Sequence, residues 1–115
     1  MEILKIHLNS NEPTVLLSPS FTEGVDLYGD LSRFQVMCKI PFPFLGDNYI
    51  KNKKDKCYRW YEWQTAKTII QALGRSIRSE EDSAISYILD SDWGYFYHKN
   101  KDLFPMWFRN SIIKK

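Results

Sequence analysis

Two cysteines and two histidines are all that 115 residues offer as soft metal ligands. Cys38 and Cys57 lack Cys-x-x-Cys spacing, and His7 and His98 lie far apart, so a zinc or iron–sulfur site built by this segment alone is not expected. Two reduced thiols fit a cytoplasmic protein, or a nuclear one in a eukaryote. No apolar run approaches the roughly 20 residues that span a bilayer. Met1-Glu2-Ile3-Leu4-Lys5 has no long apolar stretch behind it of the kind a signal peptide carries, so a soluble protein is expected. Sixteen basic side chains against fourteen acidic ones leave a formal charge of +2. That excludes a strongly basic field, and any contact with nucleic acid must come from a few placed groups. There is no Gly-x-x-x-x-Gly-Lys-[Ser/Thr] loop and no Asp-Glu box to hold magnesium. A small self-contained nucleotide-binding enzyme is therefore a poor reading.

What is present suits one compact domain with one core: 43% apolar residues, charges of both signs, five Gly and five Pro. Residues 2–8 carry strand-like and helix-like spacing at once. Thr14-Val15-Leu16-Leu17 reads as a short buried strand, and Phe34–Ile40 as a second, ended by Pro41-Phe42-Pro43. Between them, Ser18–Asp30 holds two Gly, one Pro, two Ser and three acids, a long loop of functional character. Residues 45–56 are polar and lysine-rich and read as an exposed, mobile loop.

From Tyr58 to Ser76 the spacing of Tyr58, Tyr61, Thr65, Ile69, Leu73 and Ile77, with Glu62, Ala66 and Ile70 beside them, predicts a helix with one apolar-rich stripe. Ala84–Leu89 reads as a third strand ending on Asp90, and Asn100–Ile113 as mostly helical with Pro105 near its start or at a break. Strands alternating with helices predict an α/β fold with a mostly parallel sheet. Three strands make an incomplete sheet, which points to a segment of something larger.

The helix from Tyr58 runs into Gln71-Ala72-Leu73-Gly74-Arg75-Ser76-Ile77-Arg78. At helical spacing Gln71, Arg75 and Arg78 share a face. Two guanidiniums and an amide together form an anion-binding comb, and the planar fork of arginine suits phosphate. Gly74 removes a side chain beside Arg75 and permits close approach of a ligand or neighbouring backbone. The plainer reading is a solvated basic helix end, which suits any single arginine better than it suits the whole pattern. Glu23 and Asp26 likewise have an ordinary reading as loop caps.

The pattern Gln71-x-x-Gly74-Arg75-x-Ile77-Arg78 resembles motif VI of superfamily 2 helicases in the form seen in XPD/DinG-type DNA helicases. Ser20-Phe21-Thr22-Glu23-Gly24-Val25-Asp26-Leu27 resembles motif V of the same family. Ile40-Pro41-Phe42-Pro43 is similar to its strand-ending Leu/Ile-Pro-Phe signature, and Leu103–Phe108 to its closing segment. The resemblance covers residues 14 to about 110, with the motifs in family order. One departure stands out. After the third strand the family carries Asp-x-Arg, and here Asp92 occupies the basic position in Asp90-Ser91-Asp92.

The resemblance implies a partial RecA-like three-layer α/β/α domain, the C-terminal segment of the second motor domain of an ATP-dependent DNA helicase. It implies that Arg78 and Arg75 act as arginine fingers on the β- and γ-phosphates, with Gln71 on the γ-phosphate or the attacking water. Gly24 would permit a tight loop, Asp26 would touch the ribose or link to the fingers, and Glu23 would brace the loop. Ser20 and Thr22 would hold a phosphate of single-stranded DNA. ATP with Mg2+ would be bound mainly by the N-terminal motor domain of the same parent protein, leaving this segment inactive alone. The alternative is a stand-alone regulatory or nucleic-acid-binding module that kept the fold without catalysis.

Overall fold

The computed structural model describes residues 2–17, 33–74 and 84–113, with side chains from residue 5 onward. The ambiguous N-terminal stretch is a helix, α1 (Glu2–Asn9). Its end is tied off by the Asn9 amide donating to Lys5 O at 2.9 Å, and His7 Nδ1 shares a 2.6 Å hydrogen bond with Thr14 Oγ1. Thr14–Leu17, expected as a strand, is irregular, with Val15 and Leu17 exposed. Apolar character alone does not make a strand: backbone groups must find a ladder, and no ladder partner reaches this run among the described residues.

β1 (Phe34–Met37) and β2 (Ile85–Ile88) pair in parallel, Phe34 opposite Ile85 and Met37 opposite Ile88. Parallel neighbours require a long crossover, and among the described residues it carries two helices. β1 stops before Pro41, around which Phe42 N–H bonds to Ile40 O at 2.9 Å in a γ-turn. The sheet therefore bears out the α/β expectation as a partial domain with two parallel strands.

Residues 45–56 are not the expected mobile loop. α2 spans Asn48–Lys56, and its N-cap Asp47 accepts from Tyr49 N–H at 2.8 Å and Ile50 N–H at 3.4 Å. Lys53, Lys54 and Lys56 occupy its last turn, where positive charge meets the negative end of the helix dipole. None of its residues is buried, which is why no apolar stripe announced it.

After the extended residue Cys57, α3 runs from Tyr58 to Leu73. Tyr61, Glu62, Thr65, Ala66 and Ile69 are its buried positions, the centre of the predicted stripe; Ile70 and Leu73 are partly buried, Tyr58 is half exposed, and Ile77 lies outside the described residues. Facing it are α4 (Trp93–Lys99), a 3-10 turn (Lys101–Leu103) and α5 (Met106–Ser111). The core unites Ile40, Ala66, Ile69, Phe96, Tyr97, Phe104 and Phe108.

Phe104 is its centre, 1% exposed, stacked on Phe108 at 5.0 Å and meeting Trp93 edge-on at 5.7 Å. Pro105 then starts α5 as its N-cap. The closing segment Leu103–Phe108 is thus a core plug: its alternate aromatics Phe104 and Phe108 point in, while Met106 and Trp107 stay exposed.

A polar clamp fixes the start of α3 to the α4 corner. Arg59 Nη1 donates to Asn100 Oδ1 at 2.7 Å and to Glu62 Oε2 at 3.3 Å, while its Nη2 pairs with Asp102. Lys99 Nζ reaches Glu62 Oε1 at 2.8 Å. Glu62 is buried, and an unpaired carboxylate there would be costly, so two cations meeting it from opposite sides set the helix in place. Asn100 is fully buried and spends its amide on Phe96 O at 3.0 Å.

Candidate functional site

Of the expected phosphate-facing residues, the structure describes Gln71 and Gly74, at the C-terminal end of α3. The α-helix α3 ends at Leu73, with Gly74 as its C-cap in right-handed backbone (φ −77, ψ −3), its N–H on Ile70 O; the expected continuation to Ser76 lies outside the described residues. A Cβ added at Gly74 would meet nothing within 4 Å, so the space beside this cap is open to an approaching group. Arg75 and Arg78 lie outside the described residues, as do the motif V positions Ser20, Thr22, Glu23, Gly24 and Asp26.

Gln71 is exposed on α3. With Trp63, Lys67, Ile70 and Leu103 it lines a shallow groove of about 180 Å³. Trp63, Lys67 and Gln71 repeat every four residues, and Lys67 Nζ sits 5.3 Å over the Trp63 ring. Reading the helix from its buried stripe alone missed Lys67 and Trp63 as companions of Gln71. The i, i+4, i+8 spacing on the polar face was the signal that carried them.

The two segments that hold the motifs return to the described structure side by side. Residues 18–32 lead into Arg33 and β1, and residues 75–83 lead into Ala84 and β2. At that point Ile85 N–H bonds to Arg33 O at 3.1 Å. The chain that follows each expected motif thus enters a neighbouring strand at its N-terminal end.

At the other end of the strands, Asp90 joins the two crossings. Its Oδ2 accepts from Ile40 N–H at 2.9 Å and its Oδ1 from Asp92 N–H at 3.0 Å. These backbone donors hold its carboxyl below the usual carboxylate range. Asp92 stands at the N-cap of α4 with no side-chain cap bond. Cys38 and Cys57 are exposed free thiols. Among the described residues no three His, Cys, Asp or Glu side chains gather to hold a metal ion, and no helix is long and apolar enough to cross a membrane.

The model of the family described as "Helicase C-terminal domain" matches residues 1–111. The chain belongs to that family. It is similar to the "Regulator of telomere elongation helicase 1 homolog" of Caenorhabditis elegans, 23% identical over 109 residues, covering 81% of this chain and 11% of that protein. It is also similar to the "ATP-dependent DNA helicase DinG" of Photobacterium profundum, 32% identical over 95 residues, covering 75% of this chain and 14% of the relative. A third relative is the "ATP-dependent DNA helicase CHL1" of Candida albicans, 29% identical over 87 residues, covering 60% of this chain and 10% of the relative.

All three are XPD/DinG-type helicases, as the four sequence motifs led one to expect. The chain spans about a tenth of the length of these relatives. No solved structure matches it.

Proposed function

We propose that this helicase C-terminal domain is the closing segment of the second motor domain of an ATP-dependent DNA helicase, supplying groups in trans to ATP held by the first motor domain. The observation that carries this reading is the juxtaposition at the N-terminal ends of the two strands. The segments bearing motif V and motif VI enter adjacent parallel strands through one hydrogen bond, Ile85 N–H to Arg33 O. Two segments that lead into the N-terminal ends of neighbouring strands are brought close together there, so both can reach one cleft.

In this reading Gln71, Arg75 and Arg78 face the terminal phosphates. The chemistry suits them: phosphoryl transfer needs positioning and charge neutralisation more than covalent help. Gln71 is exposed and the space beside Gly74 is open, so both fit an edge that meets a nucleotide seated elsewhere. The phosphate loop and the magnesium carboxylates belong to the first motor domain, and the isolated segment hydrolyses no ATP. Ser20 and Thr22 hold a phosphate of the single strand, Glu23 and Gly24 shape that loop, and Asp26 links it to the ribose or the fingers.

The open sheet face supports a larger domain around this segment. Phe34, Val36, Ile85, Tyr87 and Leu89 are all exposed, and in a layered domain such a face is covered.

In the full-length parent, Arg78→Ala should lower DNA-stimulated ATP turnover by about 10³-fold or more, with nucleotide and single-strand binding retained. A steady-state ATPase assay beside a filter-binding assay reads both quantities. Unchanged turnover would remove Arg78 from the finger role.

A further inference from the structure

α2 raises a question that the ATP site does not answer. It is a nine-residue helix with no buried residue, so core burial does not explain why it is there. What it carries is charge: Lys51, Lys53, Lys54 and Lys56 against the single Asp55, in a chain whose total is only +2. Four lysines less one aspartate give this short, capped helix +3, more than the net charge of the whole chain.

The lysines are also held. Lys53 Nζ lies 4.6 Å over the Trp60 ring and 5.3 Å over Tyr49, and bonds to Tyr49 Oη at 3.1 Å. Lys54 Nζ lies 4.8 Å over Tyr61 and 5.6 Å over Tyr58. From the far side, Lys99 Nζ comes to 4.8 Å over Tyr58. A lysine side chain ordinarily surrenders much rotamer freedom when it binds an anion. Rings that already fix the ammonium groups lower that cost, because the ordering is done before the ligand arrives. The aromatics therefore splint the lysines. That favours a ligand read through its backbone charges.

We propose that α2 and the first turn of α3 form a second nucleic-acid contact, in which Lys51, Lys53, Lys54 and Lys56 grip successive phosphodiesters of a strand without reading sequence. The occupant is a nucleic-acid backbone because charge complementarity demands a polyanion and the relatives DinG and CHL1 are DNA helicases. The reading above is needed only for that choice of polyanion, and this contact uses neither motif V nor the ATP site. Its chemistry is shared by single strands and duplexes.

The test uses the 115-residue chain and a fluorescently labelled oligonucleotide, single-stranded and then as a duplex, with anisotropy followed across a salt series. Replacing the four α2 lysines by Gln should weaken binding at least tenfold at low salt. It should also flatten the dependence of log affinity on log salt by about 2 to 3 for single strands, roughly 0.7 per lost phosphate contact. The four-Arg variant should bind like the wild type. Lys51→Glu with Lys56→Glu, both exposed positions without a ring beneath them in the contacts above, should give about half of the slope change and leaves the splinted pair in place should the larger variant unfold.

Ser20→Ala with Thr22→Ala should weaken single-strand binding and leave the α2 contribution to the slope intact. If that variant is silent while the lysine variants act, motif V loses its role and α2 keeps its own. Affinity and slope unchanged in the Gln and Glu variants would overturn the α2 contact, as would loss of binding in the Arg variant. So would stronger competition by polyglutamate than by unlabelled oligonucleotide at equal charge, which would assign the face to an acidic protein segment.

Discussion

Asp90 shows how much a single carboxylate can organise. It closes the gap between the end of β2 and the turn after β1, and its two backbone donors, Asp92 N–H first and Ile40 N–H second, hold its pKa below the usual carboxylate range. The folded form thus binds this proton less readily than the unfolded chain. Its stabilisation is complete above the ordinary carboxylate pKa of about 3.9 and is lost as pH falls through the lower folded value. Asp90→Asn should therefore melt below the wild type by a constant margin from neutrality to about pH 5, and the margin should shrink below about pH 4. Thermal melts across that range decide it, since a margin that ignores pH would mean that the charge is irrelevant.

In the sequence Asp90 was legible only as the first residue of a familiar pattern. Its partners could not be read, because Ile40 lies fifty positions away and is reached only through the fold. Asn100 was hidden for a similar reason. A polar residue in a polar stretch gives no sign that it will end fully buried between Arg59 and Phe96 O.

Among the elements, those with an apolar face could be read in advance and the others could not. α3 announced itself because Tyr61, Thr65 and Ile69 fall on one stripe and are buried. α2 gave no such sign, and its cap does the work that a stripe does elsewhere. Asp47→Ala should destabilise that helix by about 1 kcal/mol while leaving the core melt nearly unchanged, since α2 buries nothing. Amide exchange at Tyr49 and Ile50 should accelerate several-fold, and unaltered protection there would show that the cap is dispensable. α4 was missed for another reason. Its buried pair Phe96 and Tyr97 is too short a run to establish a period, and Gly94 interrupts the propensity. The Thr14–Leu17 strand was over-read, because four apolar residues specify neither a ladder partner nor burial.

On the scale of the whole molecule, the sheet has two unlike faces. Met37 packs toward the aromatic core, while Phe34 at 57% and Ile85 at 61% exposure face outward, in register with each other. An apolar face of this kind should bind a hydrophobic dye. Val36→Lys with Tyr87→Lys should cut that fluorescence by half or more with little change in melting temperature. An unchanged signal would place the dye elsewhere.

The same pairing also governs how the chain reaches this structure. Phe34 meets Ile85 across fifty-one intervening steps of chain, so the ladder closes only after both crossover helices have been made. Contacts so distant along the chain are slow to form, because loop closure must precede any gain from pairing. On a ribosome, β1 would emerge and wait with Phe34 and Val36 uncovered until β2 follows. How long this apolar strand stays uncovered is thus set by the length of the crossover.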